Sequence, residues 1–530
     1  MSRMTCALAG LCVAFVPPSG LFAADPAPDP PEVVKSITAR EIGGHLRFLA
    51  SDLMRGRDTA TPESRLAGEY LASQLFAVGA EPGSVAGRDR PSYFQEFPLE
   101  VVTPLEQGTE LELTLQVNGS KRLIPCKIGG DFILRPHGLV PGQIEAGVVF
   151  AGFGRSGGDA QNDDYAGLDV KNRFVLVYDG QPGEKNTGAS PAPFFNPAPK
   201  LEAAKKHGAL GILVIQPPGR RTPAPDVPFS PQNLGFSRPR MSLAAAPSEL
   251  PALRLSDAIS EVLIEGLGLP AEGQPQADAG RSLLARFRYA ARKEVKSDRN
   301  VIGLFPGSDP ERRREVIVFS AHYDHVGVNE KGEIFNGSDD NASRTSALLE
   351  IAQAVGQGPR PRRSVAFLWV SGEEHGLLGS RWFADHPALT PEFKVVADIN
   401  LDMVSRNDPH KVGVTPSPTH AEYNSLVPAA QECCKAEGMD VEFNADAYFH
   451  RTDSASFAGK GVPVIFFFAG VHGDYHRPTD DFEKADTEKA ARVARAACRL
   501  GLRFARADEP PTRLGASEKS TPASSAAKGR

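Results

Sequence analysis

Cysteine is scarce, with six in 530 residues. Cys6 and Cys12 lie near the N-terminus, and Cys126, Cys433, Cys434 and Cys498 are too few and too scattered for a disulfide framework in so long a chain. Their spacing fits no cysteine metal motif, and either one bridge or partly buried free thiols accounts for them. The thiols do not carry the chemistry. Long apolar runs are also missing, so no segment beyond the N-terminus reads as a bilayer span. Charge of one sign is missing too. The 59 Lys and Arg stand against 65 Asp and Glu, a net charge of -6 without a long basic run, which argues against nucleic acid as a partner. What is present is 41% hydrophobic residues with both charge signs, the composition of a soluble globular protein, in a chain too long for one ordinary core.

The first residues, MSRMTCALAGLCVAFVPPSGLFAAD, carry Arg3, an apolar run, and small residues at Ala23 and Ala24, the layout of a secretory signal over residues 1–24. Pro17 and Pro18 interrupt a run already short of the roughly 20 apolar residues a membrane anchor needs. The expected destination is the periplasm or the medium, without stable membrane insertion. Residues 25–37 read as a linker, and residues 508–530, rich in Ser, Ala, Pro and Lys without periodicity, as a disordered tail.

Between these ends the period changes along the chain. EIGGHLRFLASDL and SRLAGEYLASQLFAVGA have helical spacing, whereas LELTLQV, followed by Asn118 and Gly119, predicts a hairpin. From about 140 to 280, GVVFAGFG, RFVLVYDG and GILVIQ read as strands and KLEAAKKHGA as a helix, which suggests a smaller α/β unit of its own. From 298 onward, buried strands (VIVFSAH, VAFLWVS, VVADINLDM, VPVIFFF) alternate with amphipathic helices. That is the sequence form of an α/β fold with a mostly parallel central sheet flanked by helices.

Ligands of such sheets bind beyond the carboxyl ends of the strands. There the sequence puts His322 and Asp324 after VIVFSA, Glu373 and Glu374 after VAFLWVSG, Asp402 at the end of DINLD, and His476 in the loop after VPVIFFFAG. Asp339 and Asp340 open the helix after the first of these loops. Each alone is more often a surface charge or a helix cap. Their recurrence at one edge of one sheet points to a metal centre.

The segments AHYDHVG, GSDDNAS, SGEEHGLLGS, NLDM and GDYHRPTDD, in this order, resemble the co-catalytic zinc peptidases that include bacterial leucyl aminopeptidases and glutamate carboxypeptidase. The resemblance extends to LASDLMRGRDTATPESRLAGEYLASQL, and DDYAGLDVKNRFVLVYDG with AAKKHGALGILVI resembles the protease-associated domain inserted in some members. It implies an N-terminal part of the catalytic domain at 38–139, the protease-associated domain at 140–280 and the catalytic zinc-peptidase domain at 281–507. It further implies two zinc ions, one held by His322, Asp340 and Asp402 and one by Asp340, Glu374 and His476, with Asp340 bridging; manganese or cobalt suits the same donors. Glu373 would be the general base for a di-zinc-activated water, and the Asp324 carboxylate would accept a hydrogen bond from His322.

His325 and His375, at positions the family varies, are expected in supporting or surface roles ahead of ligation, and His450 and His472 as structural histidines ahead of hydrogen-bonding substrate. Two departures stand out. Arg344 occupies a position where many relatives have Gly, and would narrow the site or face solvent. In RTDSASF, Asp453 matches a family Ser-Asp-His segment but Ser454 replaces the histidine.

The implied activity is a secreted exopeptidase acting on peptides or proteins, foremost an aminopeptidase. A glutamate-type carboxypeptidase would need cations for a terminal carboxylate, with Arg220, Arg221, Arg238 and Arg240 available. A glutaminyl cyclase or a non-catalytic binding protein on the same fold are the remaining alternatives. The preferred terminal residue and the oligomeric state are not legible.

Overall fold

The computed structural model describes residues 31–86, 90–134, 139–157, 163–183, 198–218, 239–243, 249–271, 280–389 and 393–514. The signal reading, the linker up to residue 30 and the tail from 515 lie outside these residues. Among the described residues no helix is long and apolar enough to cross a membrane.

Two sheets organise the chain. The larger has ten strands, and its four central ones, Ser364–Val370, Glu315–His322, Lys394–Asp402 and Val464–Phe468, are mutually parallel. Antiparallel partners flank this block on both sides. Phe94–Pro104 and Ala291–Phe305 add an antiparallel flank, and Lys411–Thr415 pairs antiparallel with Val464–Phe468. The sheet is therefore mixed, with its main parallel block formed by the strands that precede the site and one further parallel pair, Lys411–Thr415 with Asp440–Glu442, at its edge.

Alternation explains why these strands are mostly apolar along their length. Ile317, Phe319, Phe367 and Trp369 enter a core on one face with the helices Ala39–Leu49, Arg344–Gln357, Leu426–Ala436 and Thr487–Arg506. Val316, Val318, Leu368 and Val370 enter a second core on the other face, with Phe383 and Phe457 from two short helices. A strand covered on both faces leaves few positions for polar side chains, and Ser320, Asp398 and Asn400, which interrupt these apolar runs, are buried.

The smaller sheet has eight strands and its own core around Phe174, Leu176, Leu213, Leu253 and Phe287. It begins earlier and ends later than the 140–280 span read from the sequence. The hairpin strands Glu110–Val117 and Ser120–Cys126 belong to it, as does Arg281–Tyr289, which bridges Glu110–Val117 to Gly142–Phe150. The true junction is the pair Pro104 and Ala291, adjacent on the antiparallel ladder of the larger sheet. Sequence patterning missed it because strands on both sides of the junction alternate alike. The hairpin turn does match its sequence signal: Asn118 and Gly119 both have positive φ, 48° and 85°, as a tight type I′ turn requires.

Two terminal readings are corrected. Pro31–Lys35 is a short helix, and Val34 and Ile37 are buried in the main core, because their apolar spacing in PEVVKSI suits a packed helix end. Residues 508–514 are tied to the body by Asp508 to Arg362 at 2.6 Å and by the Ser425 amide donating to the Thr512 carbonyl at 2.9 Å. All four described cysteines, Cys126, Cys433, Cys434 and Cys498, are buried.

Candidate metal centre

The parallel strands deliver their last residues to one edge. His322 ends its strand, Asp402 ends the next, and Glu373 and Glu374 follow Ser364–Val370 by a short turn. Asp340 comes from the irregular turn Ser338–Ser343 that leads into the following helix. His476 arrives from the loop after Val464–Phe468 with a left-handed φ of 52°, a conformation that costs a non-glycine residue energy and collects at functional sites. Gly337 is required beside them: a Cβ there would lie 2.2 Å from the Asp340 carbonyl and 2.4 Å from the His325 ring.

These side chains form two groups of mutually close donor atoms, His322 with Asp340 and Asp402, and Asp340 with Glu374, His476 and His325. Asp340 divides its oxygens between them. Oδ1 lies 3.5 Å from His322 Nε2, and Oδ2 lies 3.0 Å from His476 Nε2. Asp402 Oδ1 is 3.6 Å from His322 Nε2, and Glu374 Oε2 is 3.1 Å from His476 Nε2.

The donor set fits divalent ions. Asp402 Oδ1 and His476 Nε2 are buried without any hydrogen-bond partner, although acceptors and rings surround them. Three converging carboxylates and two imidazoles with unspent lone pairs need a cation between them, and this oxygen and nitrogen set suits zinc.

The two adjacent glutamates differ electrostatically. Burial pushes the Glu373 carboxyl well above its usual range; His322 opposes the rise, and Glu374, Asp453 and Asp402 add to it. Burial acts in the same direction on Glu374, but His476 and His325 outweigh it and hold this carboxyl well below the usual range. Burial lowers His476, yet Glu374 and Asp340 more than offset this and carry it up to about 10. One glutamate is thereby kept anionic among imidazoles while its neighbour is a proton acceptor of raised affinity, a division of roles expected of paired catalytic carboxylates.

Asp324 requires a correction. His322 Nδ1 lies 3.1 Å from the Asp324 backbone carbonyl and 3.7 Å from its carboxylate, so the carbonyl, not the carboxylate, holds the ring. The carboxylate is engaged elsewhere. It accepts from Thr59 Oγ1 at 2.9 Å and from the amides of Glu373 at 3.3 Å and Glu374 at 3.4 Å, so it fixes the turn carrying the two glutamates.

The other histidines separate. His325 is buried with Nδ1 2.8 Å from Glu374 Oε1, whereas His375 is 2.8 Å from Asp58 and away from the donor cluster. His472 faces Asp339 at 3.3 Å, and His450 is exposed against Phe449. Arg344 does not face solvent; it is wholly buried.

Sequence reasoning missed Arg57. Its buried guanidinium donates to the carbonyls of Leu49, Tyr323, Asn336 and Gly337, tying the loops that carry His322 and Asp340 to the N-terminal helices. Its available signal was a charged residue, in RGRDT, directly after an amphipathic helix. Also missed were the pocket walls beside His322 and Glu373, formed by Met403, Tyr448, Phe466, Phe468, Val471 and Tyr475, with Arg451 at the same pocket.

A mixed α/β sheet with a cluster of His, Asp and Glu donors at its carboxyl edge is the arrangement of a metal-binding site. Residues 300–501 match the family described as Peptidase family M28. The chain is 29% identical to leupeptin-inactivating enzyme 1 of Streptomyces exfoliatus over 35% of this chain and 38% of that protein. It is 27% identical to a probable leucine aminopeptidase of Trichophyton verrucosum over 35% of this chain and 53% of the relative. A probable glutamate carboxypeptidase of Zea mays is 26% identical over 67% of this chain and 49% of its own length. The chain thus spans about 38% to 53% of these relatives. Its fold is that of an aminopeptidase from Aneurinibacillus sp. strain AM-1, with a TM-score of 0.54 at 20% identity, over 88% of this chain and 94% of that one.

Proposed function

We propose that the chain is a secreted zinc exopeptidase, an aminopeptidase that releases N-terminal residues from peptides. The observation that carries this reading is the divided carboxylate of Asp340, which offers one oxygen to each of two imidazole groups. In this reading His322, Asp340 and Asp402 hold one zinc and Asp340, Glu374 and His476 the other. When bound, such a pair polarises the scissile carbonyl and lowers the pKa of attacking water.

Glu373 has its Oε2 3.8 Å from His322 Nε2, beside both donor groups, and takes the proton of the water before passing it to the leaving amine. Asp324 and Thr59 fix the turn on which Glu373 stands, so the base is preorganised by residues that touch no substrate. The aromatic pocket beside His322 suits an apolar terminal side chain. The leucine aminopeptidase name among the relatives supports the same direction, and the glutamate carboxypeptidase name supports the alternative below. The smaller sheet is read as a protease-associated domain, and the N-terminal signal as the basis of secretion.

A glutamate-type carboxypeptidase is favoured by one observation, the exposed Arg451 at the same pocket, whose guanidinium would meet a terminal carboxylate. Arg220, Arg221 and Arg238 lie outside the described residues, and Arg240 opens a strand paired with Phe94–Pro104. Mass spectrometry of a peptide library offered with free and acetylated N-termini decides between them. Stepwise N-terminal loss from free peptides only is expected; C-terminal loss would establish the carboxypeptidase, and an intact library would refute both.

A further inference from the structure

We propose that Arg344 is a positioning residue for Asp402: its buried guanidinium takes the carboxylate's outer oxygen and leaves the inner one for the ion shared with His322 and Asp340. This rests on the reading of those three residues as one metal position. The inference starts from the two departures noted in the sequence, Arg344 and the segment containing Asp453 and Ser454, which are far apart in the chain. In the fold they meet. Arg344 Nη2 lies 3.6 Å from Asp453 Oδ2, and both side chains are wholly buried.

The guanidinium is anchored through its other terminal nitrogen. Arg344 Nη1 donates to Asn400 Oδ1 at 3.1 Å. The same oxygen accepts from Thr452 Oγ1 at 2.7 Å, and Asn400 Nδ2 donates to Ser320 Oγ at 2.8 Å. From this anchored position Nη1 lies 4.0 Å from Asp402 Oδ2, an ion-pair distance rather than a hydrogen bond. Asp402 Oδ1, by contrast, is buried without a hydrogen-bond partner and faces His322 Nε2 at 3.6 Å. The two oxygens of Asp402 therefore meet different partners, and the one left unspent points into the donor group.

A planar guanidinium is suited to this task because it engages several acceptors at once and stays charged when buried. It also makes the site tolerable: without it, Asp402 and Asp453 would be like charges in a dry pocket, where an unpaired carboxylate is costly. Asp453 in turn balances Arg344, so the guanidinium orients Asp402 without leaving a net positive charge beside the metal position. The position of His476 and Glu374 is braced instead by His325, 2.8 Å from Glu374, and should not depend on Arg344.

The test is a zinc titration of the metal-free protein against a competing chelator, on the wild type, Arg344→Lys, Arg344→Gly and the double variant Arg344→Gly/Asp453→Asn. The double variant removes both buried charges together and keeps the question open if the single glycine variant fails to fold; circular dichroism verifies folding. The wild type should bind two ions. In the double variant one dissociation constant should stay unchanged and the other rise about 10–100-fold, the usual effect of losing a residue that orients a ligand. Arg344→Lys should recover part of that loss. Two unchanged constants in the folded double variant, or two equally weakened ones, would overturn the proposal. A wild type that binds fewer than two ions would overturn the two-ion reading itself, and this proposal with it.

Discussion

At the carboxyl ends of Phe174–Tyr178 and Gly211–Ile215 in the smaller sheet stand Asp179 and Gln216, and they are spent on each other and on Arg254, at 3.4 and 3.3 Å. At the corresponding ends in the larger sheet stand His322, Glu373, Glu374 and Asp402, aimed at common points with buried donor atoms left unpaired. Both sheets use the same buried parallel strands. Strand architecture brings loops together, but a site exists only where the polar groups at that edge cannot satisfy one another.

The sharpest way to break this contrast is to remove the shared oxygen donor. Asp340→Ala should lose both ions and reduce peptide hydrolysis to background, read by metal analysis of the purified protein; retention of both ions would refute the bridge. Glu373→Gln separates chemistry from binding. It should keep its metal content while kcat falls about 10²–10⁴-fold, as expected for losing a general base. Asp324→Asn acts one step further out, through the amides of Glu373 and Glu374, and should cost about 10–100-fold in zinc affinity or kcat/KM.

Changes in the smaller sheet should act on stability alone. Leu213, fully buried in its core, should cost about 2–5 kcal/mol as Leu213→Ala in denaturant unfolding, with kcat per folded molecule unchanged. A fall in kcat would show that the two sheets are energetically coupled. The smallest effect is set by pH. Burial, with Asp453 nearby, pushes Asp398 from 3.8 up to about 8, so the folded chain keeps a proton that the unfolded chain releases above about pH 4. This contribution to stability is therefore lost as pH rises from about 4 through 8, at no more than about 1.4 kcal/mol per pH unit. Asp398→Asn should flatten that slope in thermal melts between pH 6 and 8; identical slopes in the two proteins would contradict it.

The parts legible in the sequence were those written locally. Continuous apolar runs marked the central strands, amphipathic spacing marked the helices, and Asn118-Gly119 marked a turn. The residues of the donor cluster were legible because each sits at the end of a recognisable strand or loop. Relations between distant segments were not. The antiparallel flank of Phe94–Pro104 with Ala291–Phe305 joins strands separated by the whole smaller sheet, and nothing in either sequence names its partner. The same holds for Arg57 against the Asp340 loop, Thr59 against Asp324, and Arg344 against Asp453. The role of the Asp324 carboxylate was misjudged for a related reason. Its spacing from His322 permits either its carbonyl or its carboxylate to reach the ring, and the competing Thr59 comes from a turn 265 positions earlier.

The central claim is that the carboxyl edge of the larger sheet holds two ions bridged by Asp340. Anomalous diffraction at the zinc edge from crystals of the zinc-loaded protein tests it most directly. Two peaks about 3.5–4 Å apart are predicted, one beside His322 and Asp402 and one beside Glu374 and His476, with Asp340 between them. A single peak, or peaks away from these residues, would contradict the account.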